Sequence, residues 1–184
     1  RPALVNWNVL TYRPRPETDA GRAAGVYYYG SFRAGRQKVF DRYFQAPPTR
    51  LVVSASSAQD INRYRERYPG LNVVGRSDDV YAELEDWGST LVLEDERANR
   101  TYVSPPNRFY EALSSRCPMI FDISSTPMFR RYGFDVEACA VNGPRDLADH
   151  LETPDWVDYV GEIQAEWNGD FIGKLRTQLA EARH

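Results

Sequence analysis

From Gly25 onward, short apolar runs alternate with amphipathic stretches. Val26-Tyr27-Tyr28-Tyr29 is a β-rich run stopped by Gly30-Ser31, and Gln37 to Phe44 follows with Val39, Phe40 and Tyr43 at helical spacing. The same kind of unit then recurs. Leu51-Val52-Val53 predicts a second strand, followed by the polar loop Ser54-Ala55-Ser56-Ser57 and a helix through Ile61, Tyr64, Arg65 and Tyr68. Leu71 to Val74 predicts a third strand ended by Gly75, after which Ser77-Asp78-Asp79 caps a helix through Val80, Tyr81 and Leu84. Thr90 to Leu93 and Pro118 to Phe121 predict the fourth and fifth strands, with a helix starting near Asn107 between them. Ala138 to Val141 is a weaker sixth, before a helix from Pro144 to Leu151. Two further helical segments, Trp156 to Trp167 and Asp170 to Ala182, are parted at Asn168-Gly169.

Apolar strands alternating with helices imply βαβ units, because a parallel sheet needs a crossover to bring each strand back in the same direction. The expected class is therefore α/β: a doubly wound, Rossmann-like parallel sheet of about six strands with helices on both faces, plus C-terminal helices. Arg13-Pro14-Arg15-Pro16 marks residues 1–24 as a Pro-rich connector. Residues 25–153 then form the Rossmann-like domain, and 154–184 a helical extension.

Open parallel sheets bind ligands outside the carboxyl ends of their strands, which directs attention to the loops there. After the first strand, Gly30 permits close backbone approach, and Arg33, Arg36 and Lys38 carry enough charge to neutralise a diphosphate. This loop lacks both the GxGxxG dinucleotide fingerprint and a Walker GK[ST]. At the third strand, Gly75-Arg76-Ser77 offers backbone groups to a base edge, or simply turns and caps the next helix. Glu94-Asp95-Glu96 could hold a divalent cation or form a solvated turn. Pro105-Pro106 ends a loop and pre-sets a helix start at Asn107, whose free N–H groups suit an anion. One turn on, Glu111 shares a face with Asn107 and Arg108, placed either to bind sugar hydroxyls or to sit in solvent.

Composition narrows the classes. The 184 residues are 42% hydrophobic and 13% aromatic, and the mean hydropathy of −0.60 and the lack of any long apolar run exclude a membrane-spanning chain. A net charge of −3 gives no whole-domain attraction to nucleic acid. Two cysteines imply no disulfide framework and suit a cytoplasmic setting. With His150 and His184 the only histidines, one in a polar helix and one at the terminus, a His-dependent triad is not expected. The first residue is Arg1, consistent with a fragment or a processed product.

The segment from Ser104-Pro105-Pro106-Asn107-Arg108 through Glu111-Ala112-Leu113 to Cys117-Pro118-Met119-Ile120 resembles the PN…E motif of one known family. That motif lies in the C-terminal, donor-binding domain of glycosyltransferases built from two Rossmann domains, the GT-B fold. Tyr29-Gly30-Ser31-Phe32-Arg33 through Lys38 is similar to the first loop of that domain, and Val73-Val74-Gly75-Arg76-Ser77 to its third strand and turn. The likeness spans about Gly25 to Leu151. It implies that Arg33 and Lys38 hold the diphosphate of a nucleotide-sugar donor, with Gly30, Arg36, Asn107 and Arg108 grouped there. It also makes Glu111 the ribose ligand and Gly75-Arg76-Ser77 the base-side turn. The nucleotide-diphosphate sugar would be a co-substrate, and neither a cofactor nor a metal is required. Many relatives carry a second Glu eight positions before the ribose acid, where this chain has Val103. The family's acceptor half is an N-terminal Rossmann domain, so this chain would need such a domain or a partner chain. The catalytic residue is not identified, and the acceptor could be nucleic acid, protein, lipid or a small molecule. Alternative readings are a non-catalytic Rossmann-like module that binds a nucleotide or a protein, a phosphorelay receiver, and a metal-dependent transferase using Glu94-Asp95-Glu96.

Overall fold

The computed structural model describes residues 23–101, 105–153 and 155–181. Six strands, β1 (Ala23–Tyr29), β2 (Leu51–Ala55), β3 (Asn72–Gly75), β4 (Trp87–Val92), β5 (Met119–Asp122) and β6 (Ala140–Val141), make one sheet. All pairings are parallel, in the order β3-β2-β1-β4-β5-β6. The helices among the described residues are α1 (Gln37–Phe44), α2 (Ala58–Arg67), α3 (Val80–Asp86), α4 (Glu96–Thr101), α5 (Asn107–Ser114), α6 (Thr126–Arg131), α7 (Pro144–Glu152) and α8 (Trp156–Glu181).

Alternation along the strands builds a core on each face. Val26 and Tyr28 of β1 pack with Phe40, Phe44 and Tyr64 of α1 and α2, and with Leu147 of α7. Tyr29 points the other way, joining Leu84 of α3, Phe109 of α5, Phe129 of α6 and Val160 of α8. Both faces are thus covered, as a parallel sheet requires, and the expected doubly wound Rossmann-like fold is the one observed. The order also excludes a receiver, whose sheet runs 2-1-3-4-5.

Three differences from the sequence reading have physical causes. β1 begins at Ala23, inside the segment read as connector, and β4 begins at Trp87 directly after α3. These extra residues pair with each other, and the Trp87 indole stacks on Tyr27 with ring centroids 4.5 Å apart. α4 and α6 are short helices that apolar periodicity did not reveal. The two C-terminal segments are one 26-residue helix that runs unbroken through Asn168-Gly169. There the Asn168 amide donates to the Leu113 carbonyl at the end of α5, 2.8 Å away, so it serves a tertiary bond rather than a helix stop. α8 also completes the sheet: the buried Gln164 amide accepts from Met119 N–H and donates to Met119 C=O, both at 2.7 Å. β6 is only two residues long, and Gln164 serves the backbone of β5 where β6 has not yet begun. The connector residues 1–22, Val103 and Ser104 lie outside the described residues.

Candidate functional site

The strand order reverses between β1 and β4, so the crevice outside their carboxyl ends is the place where this fold binds ligands. β1 ends in Gly30, whose φ of +153° favours glycine. A Cβ there would lie 3.1 Å from the Tyr28 hydroxyl and 3.5 Å from Arg108 Nη2. β4 ends near Glu94, whose side chain is fully buried (0% exposed). The chain after β1 makes a single 3-10 turn over Ala34–Arg36 before α1, which turns Arg36 inward, while α5 brings in Arg108.

Glu94 is shared by both guanidiniums. Arg36 Nη2 donates to Glu94 Oε2 at 2.6 Å, and Arg108 Nε lies 3.4 Å from Oε1. Arg36 Nη1 donates to the Tyr28 hydroxyl at 3.3 Å, and the Arg108 guanidinium lies 5.2 Å from the centre of the Tyr28 ring. Burial alone would lower the Arg108 pKa, but Tyr28 and Glu94 more than offset it, so the group stays charged. Two cations therefore face one carboxylate in the floor of the crevice.

α5 starts as expected. Pro106 holds an extended conformation (φ −66°, ψ 158°) at the N-cap, and no side chain caps the first turn. Phe109, Tyr110, Ala112 and Leu113 are buried, while Arg108 and Glu111 lie at the edge nearer β1. Tyr29 ties that edge together, since its hydroxyl proton is shared between the Arg108 carbonyl and Glu111 Oε2, each 3.0 Å away. Burial and the neighbouring Glu111 carboxylate hold the Tyr29 phenol well above its ordinary pKa, so it remains a donor.

Gly75-Arg76-Ser77 is exposed at the end of β3 and is linked to this site through β2. Arg76 N–H donates to Ala55 C=O at 2.9 Å. Ser77 N–H donates to Glu83 of α3, which also accepts from Ser54 Oγ at 3.4 Å, and Gly30 N–H donates to Ser54 C=O at 3.2 Å. The structure thus brings Gly30, Arg36, Arg108 and Glu111 together, with the turn at 75–77 joined to them by Ser54 and Glu83. Arg33, Lys38 and Asn107 are exposed and make no ion pair among the described residues. Lys38 lines a cleft of about 820 Å³ between α1, α4 and the Ser124–Pro127 segment.

Glu94, Asp95 and Glu96 do not form a cation site. Glu94 turns inward to the two arginines, Asp95 Oδ1 accepts from Ala98 N–H at 2.7 Å to start α4, and Glu96 pairs with Arg100. Neighbours in sequence point to different surroundings here, and no group of three His, Cys, Asp or Glu among the described residues could hold a metal. No described helix is long and apolar enough to cross a membrane. Sequence reasoning missed Glu94 as an arginine partner, Tyr29 as the tether of Glu111, and Glu83. A buried acid at a strand end opposite basic loops was the one available signal.

An open Rossmann-like sheet with an arginine-rich crevice at its switch point defines the class of α/β domain whose ligand site lies at the carboxyl ends of its strands. Among solved structures, the chain is similar to the DNA-modifying enzyme beta-glucosyltransferase, determined with and without uridine diphosphoglucose (TM-score 0.57, 18% identity, covering 85% of this chain and 53% of that one). It is likewise similar to T4 phage beta-glucosyltransferase in complex with UDP and Mn²⁺ (TM-score 0.55, 18% identity, 85% and 49% covered). A further structure of the T4 phage enzyme gives a TM-score of 0.56 at 18% identity, with 84% and 51% covered. The chain therefore has a fold found in part of these glucosyltransferases, and it spans about half their length. No protein-family model matches it, and no curated protein does.

Proposed function

We propose that this chain is the nucleotide-sugar binding half of a GT-B glycosyltransferase. The observation that carries the reading is the pair of buried guanidiniums, Arg36 and Arg108, sharing the single carboxylate of Glu94 at the β1–β4 crevice. With Arg33 and Lys38 exposed after β1 and the uncapped start of α5 at Asn107, the crevice favours a diphosphate over a neutral ligand. Glu111, held by Tyr29, accepts hydrogen bonds from the ribose hydroxyls, and Gly75-Arg76-Ser77 meets the base edge.

In the transfer step an acceptor atom bonds to the anomeric carbon of the sugar. The bond from that carbon to the diphosphate oxygen breaks, and its electron pair leaves with the diphosphate. Charge grows on that oxygen as the bond breaks, and fixed cations stabilise it there more than in the ground state. The acceptor and its general base come from a second Rossmann domain or a partner chain. No metal is needed, since side-chain cations carry its electrostatic role.

The test is a thermal-shift screen of the 184-residue chain with UDP, GDP, ADP, dTDP and their sugar conjugates, because a ligand that binds only the folded state raises Tm. UDP is the first probe, as the ligand of the T4 phage glucosyltransferase. A shift with one nucleotide family, lost in Arg33→Ala and Glu111→Ala, is the expected result. Shifts that ignore both substitutions would overturn the site assignment, and a shift with the nucleotide but none added by any sugar would favour a non-catalytic nucleotide-binding module.

A further inference from the structure

Glu94 has no role in the family resemblance, yet it is the most enclosed charged group of the crevice. Removing a carboxylate and two guanidiniums from water is costly, and apolar side chains of similar volume would fill a sheet edge as well. The geometry divides the two cations. Arg36, with 3% of its side chain exposed, is held at 2.6 Å by Glu94 and also donates to Tyr28. Its Nε is buried and has no hydrogen-bond partner, so it differs from Arg108 in exposure and in how closely Glu94 holds it. Arg108 is 12% exposed and more loosely held, with Nε 3.4 Å from Glu94 Oε1. Its Nη1 is buried without a hydrogen-bond partner, and Glu94 Oε1 likewise has no hydrogen bond. Arg108 Nη2 sits against Gly30, the residue with which β1 opens into the crevice.

We infer that Glu94 is a positioning residue: with Arg36 as its fixed counter-ion, it holds the Arg108 guanidinium in the floor of the crevice to meet the diphosphate. This rests on the donor-binding reading and assigns Arg36 to the support of the site rather than to the ligand. Without the carboxylate, two like charges would be left side by side, and Arg108, the more exposed, would swing toward water. An arriving phosphate oxygen meets the exposed part of the Arg108 guanidinium, so the Arg36–Glu94 pair stays intact on binding.

The experiment is a double-mutant cycle on nucleotide affinity. UDP, or whichever of GDP, ADP and dTDP shifts Tm in the screen above, is titrated calorimetrically into the wild-type chain, Glu94→Gln, Arg108→Met and the double variant. Folding is checked by circular dichroism. Each single substitution is expected to weaken binding about 10- to 100-fold, the range for losing a well-placed charged hydrogen bond. Once Arg108 is gone, Glu94→Gln should cost no more than about threefold further, because coupled residues are not additive. A merely structural Glu94 would lower affinity equally in both backgrounds, and that result, or unchanged affinity in Glu94→Gln, overturns the inference while leaving the donor reading intact. Failure of the wild type to bind any of the four nucleotides would overturn both. Should Glu94→Gln not fold, Glu94→Asp, which keeps the charge and shortens its reach, carries the same comparison with the same criteria.

Discussion

Tyr29 illustrates how a residue of the sheet core also serves the site. Its ring packs beneath α5 in the core, while its hydroxyl shares one proton between the Arg108 carbonyl and the Glu111 carboxylate. Tyr29→Phe keeps the ring and removes only that donor. Folding stability is expected to fall by about 1 kcal/mol, the usual net worth of one hydrogen bond. Nucleotide affinity should drop about five- to tenfold as Glu111 loses its tether, a change of about 1 kcal/mol in binding. Denaturant unfolding and calorimetric titration read the two effects separately. Lost stability with unchanged affinity would mean that Glu111 does not meet the ligand. At this scale the sequence was partly legible. Arg108 and Glu111 could be picked out because helical spacing fixes their common face within one short segment. Glu94 could not: its partners come from residues 36 and 108, and nothing in the run Glu94-Asp95-Glu96 tells which acid is turned inward.

α8 is the element on which local signals misled. Asn-Gly reads as a turn because both residues tolerate left-handed backbone, and the helical pattern before and after it encouraged a break. Tertiary contacts decide otherwise: Gln164 is bound at both ends to Met119 and Asn168 to Leu113, and both lie on the same side of one helix, four residues apart. Gly169 follows within the helix, and a Cβ added there would meet nothing within 4 Å. Gly169→Ala is therefore expected to stabilise the protein by about 0.5–1 kcal/mol, because Ala loses less backbone entropy in a helix. A chain of this size should then gain about 1–4 °C in Tm. If the chain instead turned at this point with glycine as the stop residue, the same substitution would lower Tm, so a melting curve separates the two geometries. α4 escaped notice for a different reason. Its six residues, Glu96–Thr101, bury only Ala98, and too little of an apolar stripe remains to show a period.

Across the whole molecule, alternation of strands and helices made the parallel sheet and its two covered faces legible, but not the neighbours of each strand. The reversal between β1 and β4 brings residues 30 and 36 beside residues 94, 108 and 111, and that juxtaposition is a property of the topology alone. Covering both faces also buries titratable groups that stay neutral at pH 7. Burial, partly opposed by a hydrogen bond from Gln164, pushes the Cys139 thiol up to about 11 from 9.0. Burial, with a contribution from Tyr132, raises the Tyr110 phenol from 10.0 to about 12. In each case the folded state holds its proton more tightly than the unfolded chain. The stabilisation is therefore fully present below about pH 9, where neither state has lost the Cys139 proton, and it declines as pH rises through about 11 and 12. The urea midpoint is expected to be level from pH 7 to 8.5 and to fall steadily between pH 9 and 12. Cys139→Ser should lose the first part of this decline, since a hydroxyl does not titrate in that range, whereas an unaltered curve in that variant would place the titrating groups elsewhere in the two cores.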